Sequence, residues 1–521
     1  MALLIVAALN RQSDGLWFQG DAPRHAANGL FWWDLLTALP RDPIEYAVRY
    51  YARYPVIAPA TYPPFFYALE GLAFAIFGPS PYTARFIVLV FAGMAGLYTL
   101  EWSRRWVAPL AGWAGAFLAF VPGIVLWSNT VMLNVPAVAL GLALLYHFRR
   151  WLESARTSQL VLAAVFAAAG LVTYYPGASV FSVIAAWWVL SVRRLRFDRK
   201  LLWIAAIVSL ALMPLLAALR LGPVHLARHL PSAAFLVRLG TWTYYWRMLP
   251  TAIGWLASTM ALIGCAAGLA SERWRSETVV LMTWIVALAV GLSVVPARDP
   301  RYILLAAPAC VVLAAIGFAC LFEYLPPLDP PRQAALLAAG LAVGVWSAAR
   351  IEVPHVSGFR EVVAYLREQA PDDAVLYDGE YDGLFGYYFR ASDPDFRRRL
   401  ARADKLLYQY APISSFRRNQ VSYVSSVDDV VSVLRTHCGC RWVAIEVTTR
   451  PNPALGARLL REAVQQPAFE LVRTFPIAGS GTRRVDVYRL VGRVEPVQSV
   501  DLDFPSFTNR HFDHVVPITR P

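Results

Sequence analysis

Asp21, Arg24 and His25 fall within one short run, Gly20-Asp21-Ala22-Pro23-Arg24-His25-Ala26-Ala27-Asn28-Gly29, just ahead of a long series of apolar segments. An acid at a membrane mouth is costly to place in lipid and is a functional candidate by default. A second polar cluster, Arg298-Asp299-Pro300-Arg301-Tyr302, opens a late apolar segment. Tyr62-Pro63-Pro64 leads into a short one, and Asn134 stands two residues before Pro136 in another. Arginine forks suit phosphate oxygens, and a carboxylate can take or orient the proton of a hydroxyl nucleophile. Together these residues suit group transfer on a lipid phosphate at a membrane surface.

Each candidate also has a plain structural use. Asp21 before Pro23 is a helix start signal. Arg301 can snorkel at an interface, and Asn134 can bond across helices. His225 and His229 stand four apart, which suits a metal on a helix or simply a wet interfacial helix. The first loop has no Asp-x-Asp, and neither a metal nor another cofactor is predicted.

The elements that position these groups follow from composition. The chain has 521 residues, 57% hydrophobic and 16% charged, which marks a polytopic membrane protein. The net charge of +13 encodes topology and suits anionic lipid; it is not read as nucleic-acid binding. Of the five cysteines, Cys265, Cys310 and Cys320 lie in apolar segments as packing residues. Cys438 and Cys440 are either a disulfide or two thiols, and two thiols alone do not make a zinc site.

A membrane span needs about 20 apolar residues. Spans are expected near 83–102, 110–127, 132–148, 158–174, 177–192, 201–219, 251–270, 277–295, 302–321 and 334–350. Met1–Leu9 is too short to cross alone and reads as a truncated first span, giving about eleven in all. It lacks the basic start of a signal peptide. Arg104, Arg105, Arg149, Arg150, the 193–200 run, Arg273, Arg275 and Arg332 then fall on the cytoplasmic side by the positive-inside rule. Loops 10–82 and 220–250, the joint 296–301 and the C-terminal part fall outside. Phe31–Leu39 and Pro63–Phe77, the latter with Glu70 at its centre, are expected as interfacial helices.

The domains expected are a membrane part, 1–350, carrying the external loop 10–82, and a soluble α/β part, 351–521. In the latter, helices are expected over 359–369, 427–435 with Ser426 as cap, and 453–464. Strands are expected over 374–377, 442–447, 469–475 and 484–490. It contains no Gly-x-Gly-x-x-Gly, Walker A or nucleophile-elbow sequence.

Several motifs in order carry a family likeness. They are Asp21 soon after the first apolar run, the proline turn and short helix YPPFFYALEGLAFAIFG, Arg85 opening the next span, MLNVPAVAL, and RYILLAAP. In these the chain resembles the GT-C superfamily of polytopic glycosyltransferases, and is similar to protein mannosyltransferases and bacterial aminoarabinose and related lipid-linked sugar transferases. The likeness covers about 350 residues and implies a mechanism. A sugar on polyprenyl phosphate is the donor. An acceptor hydroxyl of an envelope lipid or glycan attacks on the external side of a bacterial cytoplasmic membrane, and polyprenyl phosphate leaves. It implies Asp21 as the catalytic aspartate and Arg301, with Arg298, at the donor phosphate. Arg24, His25, Tyr62, Asn134 and Tyr302 would line the pocket. Ala22 and Asn134 depart from the family, standing where relatives carry acids.

Two readings from other classes remain. A transporter of a lipid-linked sugar should show inverted repeats and mid-span charges, whereas the charges here crowd the external mouth. A membrane-anchored sensor would act through 351–521, where no ligand motif is visible.

Overall fold

The computed structural model describes residues 21–57, 63–191, 232–296, 298–324, 330–410, 420–448, 454–479, 482–502, 514–518 and 521. The chain forms two compact units. One comprises 1–11, 62–66 and 85–353; the other comprises 12–61, 67–84 and 354–521. Most of the first loop thus belongs with the C-terminal part.

Three helices precede the first long apolar one: α1 (Asp21–Ala38), α2 (Pro43–Arg53) and α3 (Phe65–Phe77). Asp42 caps α2, accepting from the Ile44 and Glu45 amides at 2.9 and 3.0 Å, and Pro43 fills a first-turn position that needs no N–H donor. The helix expected over Phe31–Leu39 is longer, and Ala22, Ala26, Ala27, Leu30 and Phe31 are buried within the unit. Its first half is therefore packed within the unit, while Leu36 and Leu39 toward its end are exposed. In α3, Glu70 is fully buried while Leu72, Ile76 and Phe77 are exposed, as suits a helix with one face toward lipid.

The apolar helices are α4 (Pro81–Arg104), α5 (Ala111–Leu118), α6 (Pro122–Ser128), α7 (Asn134–Ser154), α8 (Thr157–Leu171), α9 (Val180–Ser191), α10 (Leu239–Ile253), α11 (Trp255–Ala270), α12 (Arg275–Ser293), α13 (Ala307–Tyr324) and α14 (Pro330–Ala349). Among the described residues four helices are long and apolar enough to cross a membrane, or six if two bent pairs each count as one. The expected eleven is not reproduced. The segment expected over 110–127 breaks before Pro122 with a 47° bend, because proline lacks the N–H to continue the ladder. Gly254, at φ +87°, turns α10 into α11 by 116°, so part of the expected loop 220–250 is helical. The expected span 201–219 and the stub Met1–Leu9 lie outside the described residues.

Glycine permits a close helix crossing in this unit. A side chain on Gly264 of α11 would meet the Leu313 carbonyl of α13 at 1.9 Å, and one on Gly317 would meet the Met260 carbonyl at 2.4 Å. Small residues let membrane helices pack backbone to backbone. At one end, Arg105 and Arg149 converge on Glu153 at 2.6 and 2.9 Å, and Trp102 donates to Glu277 at 2.5 Å. Three of the arginine-bearing joints expected on one side supply this polar end. Arg149 and Arg150 lie inside α7, which runs past its expected end because Arg149 and Glu153 pair at i, i+4.

The C-terminal part has α15 (Phe359–Gln369), α16 (Asp382–Ala391), α17 (Val427–Ser432) and α18 (Leu455–Ala463). Its main strands are β1 (Ala374–Asp378), β2 (Arg399–Arg402), β3 (Tyr408–Tyr410), β4 (Gln420–Ser422), β5 (Cys440–Thr448), β6 (Phe469–Pro476) and β7 (Thr482–Leu490). Five form one sheet in the order β2-β1-β5-β7-β6. β1 runs parallel to β2 and β5, and β7 runs antiparallel to β5 and β6. Ser426 and Asp429 make the capping box of α17, and the Cys438 and Cys440 sulfurs are bonded. α16 has no sequence signal, because Asp382 to Arg390 are all buried and show no polar face.

Replacing Gly264 with leucine should cost at least the roughly 1–3 kcal/mol of an overpacked core. Detergent-solubilised protein should melt several degrees lower, while the Gly264→Ala protein should lie between it and wild type. An unchanged melting temperature would contradict the close crossing.

Candidate functional site

Asp21 opens α1 and is partly exposed. One turn on, Arg24 reaches Asp382 of α16 at 2.9 Å. Asp382 also holds Arg402 at 2.5 Å, and Arg402 bonds Asp404 at 2.6 Å and the Pro55 carbonyl at 2.9 Å. Burial pushes the Asp382 carboxyl up, but Arg402 and then Arg24 outweigh it and hold it below its usual range. Arg24 is thus an anchor of α1 on the C-terminal part. His25 is buried, with Nδ1 2.6 Å from the Tyr67 hydroxyl of α3 and its ring stacked on that tyrosine. Further along α1, Gly29 leaves room for the Glu70 carboxyl, which a Cβ would meet at 2.3 Å.

Five residues further along, Asp34 meets Arg390 through two bonds of 2.6 and 2.9 Å and accepts from the Tyr50 hydroxyl at 2.8 Å. Both ends of this pair are over nine-tenths buried. Tyr54 donates to Asp393 at 2.7 Å, and Arg53 donates to the Phe396 and Arg398 carbonyls at 2.5 and 3.2 Å. A bidentate arginine–carboxylate pair fixes direction as well as distance. α1 and α2 are therefore locked onto α16 and the segment after it.

The turn that launches α16 is itself held. Buried Glu446 of β5 accepts from the Tyr381 and Glu380 amides at 2.9 and 3.1 Å and from Thr482 at 2.9 Å, and also from the Tyr377 hydroxyl. Gly379 is required beside it, since a Cβ there would lie 2.3 Å from the carboxyl carbon. Burial outweighs these bonds and pushes Glu446 up to about 7.

In the other unit, Arg301 pairs with Asp299 at 2.7 Å and lies over the Trp127 ring at 5.3 Å. Asp299 also accepts from the Arg301 amide at 2.9 Å, capping the turn Pro300–Ala306 that leads into α13. Tyr302 packs edge-on against Tyr174 at 6.3 Å, and Tyr174 is hydrogen-bonded to the Asn134 side chain. The Asn134 carbonyl oxygen is buried with no partner among the described residues. Arg298 donates to Thr241 at 2.6 Å and lies 4.4 Å over the Phe235 ring. Arg301, Tyr302 and Asn134 are thus gathered through Trp127 and Tyr174, with Arg298 on the same joint. Asn134 opens α7 and Arg149 lies near its end, about 22 Å along the axis. This cluster is therefore at the opposite end of α7 from the Arg149–Glu153 pair.

Tyr62, His225 and His229 lie outside the described residues. The sequence reading passed over Trp127, Tyr174 and Tyr67. Tyr67 and Glu70, three apart in an apolar helix, were a usable signal for a buried polar face.

Residues 61–217 match the family described as dolichyl-phosphate-mannose-protein mannosyltransferase. In fold the chain is similar to ArnT from Cupriavidus metallidurans in its structure bound to undecaprenyl phosphate. The two share 14% identity with a TM-score of 0.64, over 95% of this chain and 98% of that one. The chain has the GT-C fold. This GT-C fold is similar also to the arabinofuranosyltransferase AftD from Mycobacteria, at 14% identity and a TM-score of 0.51 over 96% of this chain and 40% of that one. A third likeness is to the Archaeoglobus fulgidus oligosaccharyltransferase tethered with an acceptor peptide, at 15% identity and 0.51 over 85% and 68%. No curated protein matches the chain in sequence. The long apolar helices fit this fold, four of them being of membrane-crossing length among the described residues.

Two predictions follow from the locked helices. Arg390→Met leaves Asp34 buried without its cation and should cost about 3–5 kcal/mol, whereas Asp34→Leu with Arg390→Met should recover most of it. Thermal unfolding of the purified variants checks this. Glu446 binds its proton more tightly folded than unfolded, so its contribution to stability falls as pH rises from about 4.5 to about 7. Glu446→Gln should remove that slope from a melting-temperature series between pH 4.5 and 8.

Proposed function

We propose that the protein is a glycosyltransferase that moves a sugar from a polyprenyl-phosphate donor to a hydroxyl of an envelope lipid or glycan, on the external face of a bacterial cytoplasmic membrane. The observation that carries this reading is the full-length fold likeness to a protein whose structure holds undecaprenyl phosphate. The family match is to enzymes described as using a dolichyl-phosphate sugar, which points to the same donor class.

In this reading the acceptor oxygen attacks the anomeric carbon, and the bond from that carbon to the phosphate oxygen breaks. Polyprenyl phosphate departs with the bonding electrons, and the hydroxyl proton passes to the Asp21 carboxylate. Arg301 stabilises the growing charge on the phosphate, with Arg298 beside it. Asp299 holds the Arg301 guanidinium at 2.7 Å and also caps its turn, which keeps that cation from having to reorganise during the reaction. Tyr302 and Asn134 line the sugar side. The locking of α1 fixes the backbone from which Asp21 projects.

The test is transfer from radiolabelled polyprenyl-phosphate sugars by protein reconstituted in vesicles. Asp21→Asn should lower kcat about 10²–10⁴-fold, as loss of a general base does, with the donor KM little changed. Arg301→Ala should lower kcat about 10²–10³-fold, and Arg301→Lys should restore part of it. Undiminished transfer by Asp21→Asn would overturn the role of Asp21. Donor lipid that crosses the bilayer without releasing polyprenyl phosphate would overturn the reaction itself.

A further inference from the structure

The unit that contains the C-terminal part has a half-open cavity of about 330 Å³ between the 79–82 turn and α15 and α16. Ser80, Tyr82, Arg360, Arg367, Tyr388 and Ser392 supply its polar lining, and no carboxylate lines it. Arg360 and Arg367 are two turns apart on one face of α15, with Val363 and Ala364 between them. The helix's acids, Glu361 and Glu368, each follow an arginine by one residue and so point about 100° away. Among the described residues neither arginine makes an ion pair or a side-chain hydrogen bond. Buried Arg398, its charge offset by Asp393, donates to Ser392 of the lining at 2.7 Å. The lining thus has two cations, several hydroxyls and no carboxylate.

Its position narrows the ligand. Pro81 and Tyr82 line the cavity and also begin α4, a helix of membrane-crossing length and apolarity. Tyr82 is exposed, as are Leu72, Ile76 and Phe77 on α3 just before the turn. A basic cavity beside uncovered apolar side chains, where a helix enters the bilayer, suits an amphiphile with an anionic head. Basic residues at a membrane surface attract anionic lipid, and two arginine forks suit phosphate oxygens.

We infer that this cavity binds the phosphate headgroup of an anionic glycerophospholipid, gripped between Arg360 and Arg367. The site does not enter the transferase reading, and its test reads binding rather than turnover. Full-length protein would be placed in nanodiscs of phosphatidylcholine alone or with one-fifth phosphatidylglycerol, and hydrogen exchange followed across 359–369 and 78–82. Phosphatidylglycerol should slow exchange in both segments, and high salt should weaken the effect. The lipid fraction needed for half-protection should rise about fivefold for each arginine replaced by alanine. Arg360→Lys with Arg367→Lys should keep most of the protection. Arg441→Ala with Arg489→Ala, at exposed strand positions, should change nothing. Protection that ignores phosphatidylglycerol, or that survives loss of both arginines, would overturn the proposal. So would equal protection by soluble glycerol phosphate in pure phosphatidylcholine, since the site would then take a free phosphate and not a lipid.

Discussion

The ion pair between Asp34 and Arg390 is the interaction on which one whole unit depends. Both groups are more than nine-tenths buried, and the pair is bidentate with a tyrosine hydroxyl completing the carboxylate. Removing a carboxylate and a guanidinium from water costs several kcal/mol each, and only near-ideal geometry offsets this. Such a pair is a poor source of net stability but a strong specifier of geometry. Neither α1 nor α16 can leave the other without stranding a charge. The Arg24–Asp382–Arg402 cluster repeats the arrangement toward the start of α1. The C-terminal part is therefore the template on which the first loop is ordered.

That constraint bears on chemistry because Asp21 is the first residue of the helix so held. A helix is stiff along its axis, so fixing it near residues 24 and 34 fixes where its first turn points. In the other unit the same logic appears with different parts. Asp299 caps the turn before α13 and grips Arg301 at once, so backbone and guanidinium are set by one carboxylate. In both units a candidate reactive group lies close to an ion pair that orders the local backbone. Preorganised groups of this kind are what stabilise developing charge most effectively.

Much of this was legible in the sequence. The helix over 359–369 and the strands begun at Ala374 and Phe469 follow hydrophobic period, and Ser426 was readable as a cap. The arginine-bearing joints foretold one polar end of the apolar helices. What stayed hidden was anything fixed by tertiary contact. α16 is buried on every side, so it has no period to read. Asp34 looks like a stray acid in FWWDLL, since its partner lies 356 positions away. The bends at Pro122 and Gly254 were visible as residues, but their angles depend on packing. Arg24 illustrates the same limit: it was expected among the pocket residues, and its observed partner is Asp382, 358 positions away.

Native-state hydrogen exchange on the full-length protein tests the central claim most directly. If α1 is ordered by the C-terminal part, amides of 21–38 and 382–391 should open with the same free energy and the same denaturant dependence, as one cooperative segment. Amides of α1 that exchange well before those of α16, at low denaturant and with a smaller slope, would contradict it.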